Sequence, residues 1–397
     1  MNKTETELFL SGHETPLFVY DLSIVKKNAE KLRRALGDSF KLYYSVKANP
    51  NPQLLNSISN LTDGMECASA GEIKLGIEAG THPQNILFVG PGKKKSELEY
   101  AVNEDIGLIV VESVREAQIV DLIAMEANKV QDIAIRINVF MKNKGARMKM
   151  GGEAKPFGID EDQLLDALKR VDILKGVRII GIYTYNGTQI LQAEDIARNF
   201  QNTFRLAVRS QEQLGRPFSV IGVGGGYGVP YFENDQPLEL RALKTEIASV
   251  VSAFHSMFTE DIRIISEAGR YLVAECGFYI ARVLYKKQSR DKVFLILDGG
   301  TNFYSIASGL KSFLRRNLPV YVWQPRDAAQ QEKVTLVGPL CTPTDILSQD
   351  IMFPVCKEGD TIIFPKAGAY GYSASPVLFL SHERPCELVV ESFLNEI

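Results

Sequence analysis

The sequence predicts an α/β chain: a closed parallel barrel of the (β/α)8 TIM type followed by a C-terminal antiparallel β domain. Three observations carry that prediction. Eight short apolar runs rich in β-formers alternate with stretches of helical periodicity between residues 41 and 266, the pattern of a parallel sheet whose crossovers are helices. After Arg270 the helical periodicity fades, and β-rich runs follow one another between Gly and Pro. At 397 residues the chain exceeds one ordinary core, so roughly two domains are expected.

In chain order, Pro16 to Tyr20 forms a short strand, and Ser23 caps a helix whose apolar positions Ile24, Val25, Ala29, Leu32 and Leu36 recur at helical spacing until Gly37 ends it. The barrel strands are expected at 41–46, 64–68, 85–89, 107–112, 132–139, 177–185, 219–223 and 263–266. Several intervening helices open with a capping box, at Ser69 to Glu72, Ser96 to Glu99 and Ser113 to Glu116. Further strands are expected at 271–285, 293–297, 320–323, 333–337, 360–364 and 386–390. The domains follow: residues 1–24 carry a strand that joins the β domain, 25–272 the barrel, and 273–397 the β domain.

Composition removes several function classes. The net charge is only −3 and the basic residues are dispersed, so a nucleic-acid partner has no electrostatic footprint. The run Lys93-Lys94-Lys95 is expected to be a solvated turn. No window reaches the apolar length of a bilayer span, and Met1 to Phe9 has no basic-then-apolar pattern, so a cytoplasmic protein is expected. Cys67, Cys276, Cys341, Cys356 and Cys386 make an odd set without C-x-x-C pairing, and the four histidines lack ligand spacing. Disulfides and metal sites are disfavoured.

Lys47 stands where the first barrel strand ends, since Leu42 to Val46 are mostly β-formers and Pro50 cannot continue a ladder. A lysine so placed is either a solvated surface residue or a nucleophile facing the functional end of the barrel. Gly224, Gly225 and Gly226 follow the seventh strand, where glycine lets backbone N–H groups approach a phosphate; a tight turn or close packing explains such a run equally well. Glu267-Ala-Gly269-Arg270 closes the eighth strand with a carboxylate and a guanidinium, suited to a protonated ring nitrogen and a phosphate, or to a surface ion pair.

Taken together and in order, Tyr44-Ser-Val-Lys47-Ala-Asn49, the glycine loop, Glu267-Ala-Gly-Arg270, Gly338-Pro-Leu-Cys341 and Ala367-Gly-Ala-Tyr370 resemble the motifs of the fold-type III pyridoxal-phosphate decarboxylases, the group of diaminopimelate and ornithine decarboxylases. The resemblance runs from about Pro16 to Val390 and implies an alanine racemase-like arrangement of barrel and β domain. It implies that Lys47 holds pyridoxal 5'-phosphate covalently through a neutral amine. It implies that the three glycines, Gly269, Arg270 and Tyr370 hold the phosphate, and that Glu267 keeps the pyridine nitrogen protonated. Arg136 matches an arginine near the ring. Glu66 and Glu72 match carboxylates of the second-strand motif, Glu72 serving equally well as the capping partner of Ser69. Cys341 would reach into the opposite subunit's site of a homodimer and protonate the carbanion.

Two positions depart from the family pattern. Tyr185 stands where a histidine commonly stacks on the cofactor, and Thr342 stands where an acidic residue binds a substrate's distal ammonium group. Both features, with Cys341-Thr-Pro, make the chain most similar to the butirosin-type branch that acts on a carrier-protein-linked glutamyl group. The expected activity is α-decarboxylation of an amino acid, free or conjugated to a carrier protein, in secondary metabolism. Diaminopimelate decarboxylation is the alternative, and a catalytically silent homologue a second. Racemisation is disfavoured by Glu267, because racemases of this fold set an arginine against the ring nitrogen. Arg315 and Arg316, with Lys311, lie in a β-domain segment that would meet a substrate carboxylate or a carrier's phosphopantetheine, or form an ordinary solvated cluster.

Overall fold

The computed structural model describes residues 3–139, 148–149, 155–259, 261–305, 316–327 and 329–393. It divides into two compact units, one of residues 28–229 and 237–271, the other of residues 1–27, 230–236 and 272–397.

The first unit is the barrel. Its strands are Phe40–Ser45, Gly64–Cys67, Ile86–Phe88, Leu108–Val111, Gln131–Asn138, Val177–Thr184, Val220–Gly224 and Arg263–Ala268. Each pairs in parallel with the next, and the last pairs with the first, Ile264 opposite Phe40. One core cluster draws Tyr43, Leu87, Val110, Ala134, Tyr183, Val220 and Ile265 from seven of these strands. The two tyrosines fit because their neighbours are glycines. A Cβ on Gly64 would lie 2.0 Å from the Tyr43 ring, and one on Gly222 would lie 2.4 Å from the Tyr183 ring. Large and small residues thus alternate to fill the interior.

The helix ends show where side-chain caps were legible. Ser69 and Ser113 accept from the N–H of Glu72 and Glu116, as the capping boxes predict. Each glutamate returns its bond one residue earlier than the motif implies, to Ala68 N and Glu112 N. The expected cap at Ser96 is corrected: that helix spans Lys95–Asn103, because the Glu97 carboxylate already accepts from Lys94 N at 3.1 Å. The helix Leu22–Leu36 is likewise capped by Asp21 rather than Ser23. Asp21 Oδ1 takes both Ser23 N and Ser23 Oγ, and Gly37 at φ 76° ends the helix.

The second unit is a curled sheet built on the long strand Gly277–Ser289, which pairs antiparallel with Thr361–Pro365, Lys292–Leu297 and Leu17–Asp21. Most pairings are antiparallel. Leu17–Asp21 with Cys386–Val390, and Lys292–Leu297 with Gln331–Val337, are parallel. Residues 271–273, expected as strand, instead belong to the short helix Arg270–Val273. The sheet begins at Gly277, whose missing Cβ lets the backbone of Gly368 approach; a Cβ there would lie 2.1 Å from Gly368 N. Among the described residues of this unit, the helix Lys3–Ser11 and the strand Ile346–Pro354 were not foreseen. Among the described residues no helix is long and apolar enough to cross a membrane, and no cluster of His, Cys, Asp or Glu could hold a metal ion.

Candidate active site

Lys47 sits in a single 3-10 turn, Val46–Ala48, directly after the first barrel strand. The turn is fixed from both sides. Tyr44 Oη donates to Asn49 O at 3.0 Å, and Asn49 Oδ1 accepts from Asn51 N, the residue that caps the helix Pro52–Ser59. Lys47 Nζ donates to both carboxylate oxygens of Glu66, at 2.9 and 3.0 Å. The Glu66 side chain is fully buried at the end of the second strand, whereas that of Lys47 is 37% exposed. The ammonium group is therefore held against a buried carboxylate. The Tyr185 ring, just past the strand Val177–Thr184, lies beside it with its centroid 5.6 Å from Nζ.

Glu267, on the strand Arg263–Ala268, is buried. Its Oε2 accepts from Tyr183 Oη at 2.7 Å, and its Oε1 is buried without a hydrogen-bond partner. Burial pushes this carboxyl up to about 8, the Glu66 charge adds to the rise, and Lys47, the Tyr183 bond and Arg136 oppose it. Arg136 Nη1 donates to Glu112 Oε1 at 2.7 Å, while its guanidinium carbon lies 5.7 Å from the Tyr183 ring centroid and 5.0 Å from that of Phe157. Glu72 serves its helix: its Oε2 accepts from Ala68 N at 2.7 Å, and burial with the Glu66 charge raises its carboxyl to about 6.

The glycine loop closes the floor. Gly224 and Gly226 have φ of 65° and 87°, and a Cβ on Gly225 would lie 1.7 Å from the Glu267 carbonyl oxygen. Only glycine fits where that loop crosses the eighth strand. Ser266 Oγ ties the loop down through Gly224 O at 3.1 Å and Tyr227 Oη at 2.6 Å. Gly269 packs against the lysine turn, since a Cβ there would meet Ala48 Cβ at 2.9 Å, and Arg270 opens the short helix that follows.

Lys47, Glu66, Arg136, Tyr185, Gly224 to Gly226, Glu267, Gly269 and Arg270 thus share one unit. Cys341 and Tyr370 belong to the other. Cys341 is exposed in the loop between Gln331–Val337 and Ile346–Pro354, and Tyr370 is held at φ 57° beside Gly371. Such a φ is uncommon outside glycine and costs on the order of 1 kcal/mol.

The solvated-turn expectation fails for Lys93, whose side chain is 1% exposed. Its Nζ donates to Gly90 O, Val110 O and Glu116 Oε1. Tyr183 and Glu112 were also missed, and Glu116 was read only as a capping partner. For Tyr183 a signal existed: it alternates with Gly181 and Tyr185, so it faces the same side of its strand as Tyr185.

These residues fit pyridoxal phosphate. The orphaned Glu267 Oε1 is a buried polar atom without a partner, which a pyridine nitrogen sharing one proton with the carboxyl would supply, and the loop at 224–226 leaves no Cβ in the way of an anion.

Comparison with known proteins agrees. Residues 22–274 match the family described as pyridoxal-dependent decarboxylase, pyridoxal binding domain. The chain is 36% identical over 392 residues to L-glutamyl-[BtrI acyl-carrier protein] decarboxylase of Niallia circulans, covering 98% of this chain and 92% of that protein. It is 30% identical over 390 residues to 2-[(L-alanin-3-ylcarbamoyl)methyl]-2-hydroxybutanedioate decarboxylase of Staphylococcus aureus, covering 96% and 95%. The crystal structure of diaminopimelate decarboxylase from Helicobacter pylori complexed with L-lysine matches with a TM-score of 0.87 at 30% identity, covering 97% of this chain and 93% of that one. The chain belongs to the pyridoxal-dependent decarboxylases, lyases whose cofactor is pyridoxal 5'-phosphate.

Proposed function

We propose that this enzyme removes the α-carboxyl group of an amino acid whose far end is neutral, acidic or conjugated, with a glutamyl group on an acyl carrier protein as the leading candidate. The observation that carries this is the state of the loop holding Cys341. Thr342 offers a hydroxyl, bonded at 3.0 Å to that of Thr344, in place of a carboxylate. The one acid in the loop, Asp345, is 2% exposed; its Oδ1 accepts from Thr301 N and Thr301 Oγ1 and its Oδ2 from Leu340 N. No carboxylate of this loop is left for a distal ammonium group, and a charge left buried and unpaired is costly.

In this reading Lys47 carries the cofactor, the glycine loop with Gly269, Arg270 and Tyr370 holds its phosphate, Tyr185 stacks on its ring, and Glu267 faces its nitrogen. The bound cofactor supplies an electron sink for the pair left on the α carbon when carbon dioxide departs. Glu66 holds the Lys47 ammonium when the amine is not engaged. Arg136 positions Tyr183 behind Glu267. The chain acts as a homodimer with shared sites, in which Cys341 of the partner subunit returns a proton from Sγ to the α carbon, so that carboxylate is replaced by hydrogen. A free, exposed thiol in that role suits the cytoplasm, where thiols stay reduced. Identity to relatives that act on a carrier-linked glutamyl group and on a substituted hydroxybutanedioate supports a place in secondary metabolism. Lys311 and Arg315 lie outside the described residues. Arg316 stands 4.1 Å from the Phe232 ring centroid and 4.0 Å from Asp235 Oδ1, which favours a structural role over binding a substrate carboxylate.

Initial rates of carbon dioxide release from free glutamate, a glutamyl carrier-protein thioester and diaminopimelate test this reading. The thioester should be the best of the three, and Thr342→Glu should shift preference towards diaminopimelate. Diaminopimelate as the best substrate of the unmodified enzyme would make this a diaminopimelate decarboxylase with an altered pocket. No release from any of the three would favour a silent homologue.

A further inference from the structure

In the reading above Tyr183 merely stands behind Glu267, yet among the described residues its hydroxyl makes the one hydrogen bond that Glu267 accepts through a side-chain oxygen. Both residues are buried, and the phenol cannot swing away. Its ring fills the space over Gly222, and the guanidinium of Arg136 lies on it. Arg136 is pinned in turn by Glu112, whose Oε1 also accepts from Gly90 N at 3.0 Å and whose Oε2 accepts from Gly158 N at 2.9 Å. A chain of fixed groups therefore runs from the barrel wall to one oxygen of Glu267 and leaves the other empty.

The consequence concerns a proton. A buried carboxyl facing a pyridine nitrogen can keep the proton itself or cede it, and only the second arrangement gives a strong electron sink. Burial and the Glu66 charge favour keeping it, whereas Lys47, the hydrogen bond from Tyr183 and the charge of Arg136 favour ceding it. Tyr183 is a dependable donor, because burial and then the charges of Glu267 and Glu66 raise its own ionisation well above the ordinary value.

We propose that Tyr183, backed by Arg136, is the positioning residue that commits Glu267 to the cofactor: its hydroxyl occupies Oε2, leaves only Oε1 for the ring nitrogen, and draws the shared proton from the carboxyl onto that nitrogen. This rests on the assignment of Glu267 as the nitrogen's partner.

The test uses Tyr183→Phe, which keeps the ring and its packing, with Glu267→Gln as the reference. Each protein is loaded with cofactor carrying an isotopically labelled ring nitrogen, whose chemical shift reports its protonation. The unmodified enzyme should show a protonated nitrogen and Glu267→Gln a neutral one, with Tyr183→Phe moved towards the neutral value. In Tyr183→Phe kcat should fall about 10-fold while KM changes little. A protonated nitrogen in Tyr183→Phe beside a neutral one in Glu267→Gln would overturn the proposal and leave the assignment of Glu267 standing. The same shift in the unmodified enzyme and in Glu267→Gln would overturn the assignment itself. A second measurement needs no cofactor: the Glu267 carboxyl, followed by carbon NMR, should titrate about one pH unit higher in cofactor-free Tyr183→Phe than in the unmodified protein. An unchanged titration would overturn the proposal.

Discussion

Lys93 Nζ and Glu116 Oε1 lie 2.8 Å apart, with the lysine side chain 1% exposed and the glutamate side chain 10% exposed. Burial lowers the affinity of this lysine for its proton, and the Glu116 charge restores part of it. Removing one member of such a pair strands the other, at about 3–5 kcal/mol. Lys93→Met should therefore destabilise the protein by about 3 kcal/mol in urea unfolding, and adding Glu116→Gln should recover part of the loss. A cost below about 0.5 kcal/mol, the scale of an ordinary surface substitution, would show that Lys93 is solvated after all.

Glu267 predicts a pH dependence whose sign is definite. Its folded carboxyl is raised from 4.5 to about 8, so between those values the folded cofactor-free protein holds a proton that the unfolded chain has released. Stability from this group is greatest below pH 4.5, falls as pH rises through the window and levels off above about 8. Glu267→Gln should flatten that fall in urea unfolding at a series of pH values. An equally steep fall in the variant would place its origin elsewhere.

Gly225→Ala should be far worse than the same change at Gly37. A Cβ at 225 would lie 1.7 Å from a backbone oxygen of the eighth strand, whereas a Cβ at Gly37, where φ is 76°, would have nothing within 4 Å. The Gly37 change should cost about 1 kcal/mol, from backbone conformation alone. The Gly225 change should cost at least about 2 kcal/mol and weaken cofactor binding by at least about 10-fold, read by thermal unfolding and cofactor titration. Equal effects at the two positions would mean that the loop does not cradle anything.

The legible part of this molecule is the part that repeats. All eight barrel strands lie where the apolar runs predict, because each is buried on both faces and reads as a continuous run. The serine caps at Ser69 and Ser113 were legible from their glutamates. What escaped depended on contacts distant in sequence. The strand Ile346–Pro354 is broken by Gln349 and Asp350, the latter at φ 54°, so its alternation fails midway. Lys93 looks solvated in a run of three lysines, and only the fold brings Glu116 and two strand-end carbonyls to it. At the site, Lys47 and Glu267 were legible as strand-end residues. Tyr183 was not singled out, and it is a polar partner only because Gly222, on the strand between, lets its hydroxyl reach Glu267.

Lys47, poised on Glu66 at the end of the first barrel strand, is the residue proposed to carry the cofactor. Borohydride reduction of the cofactor-loaded protein, followed by peptide mass mapping, decides the matter. The cofactor's mass should appear on the peptide containing Lys47, with no reducible adduct in Lys47→Ala. An adduct that persists in Lys47→Ala, or one that maps to another lysine, would contradict it.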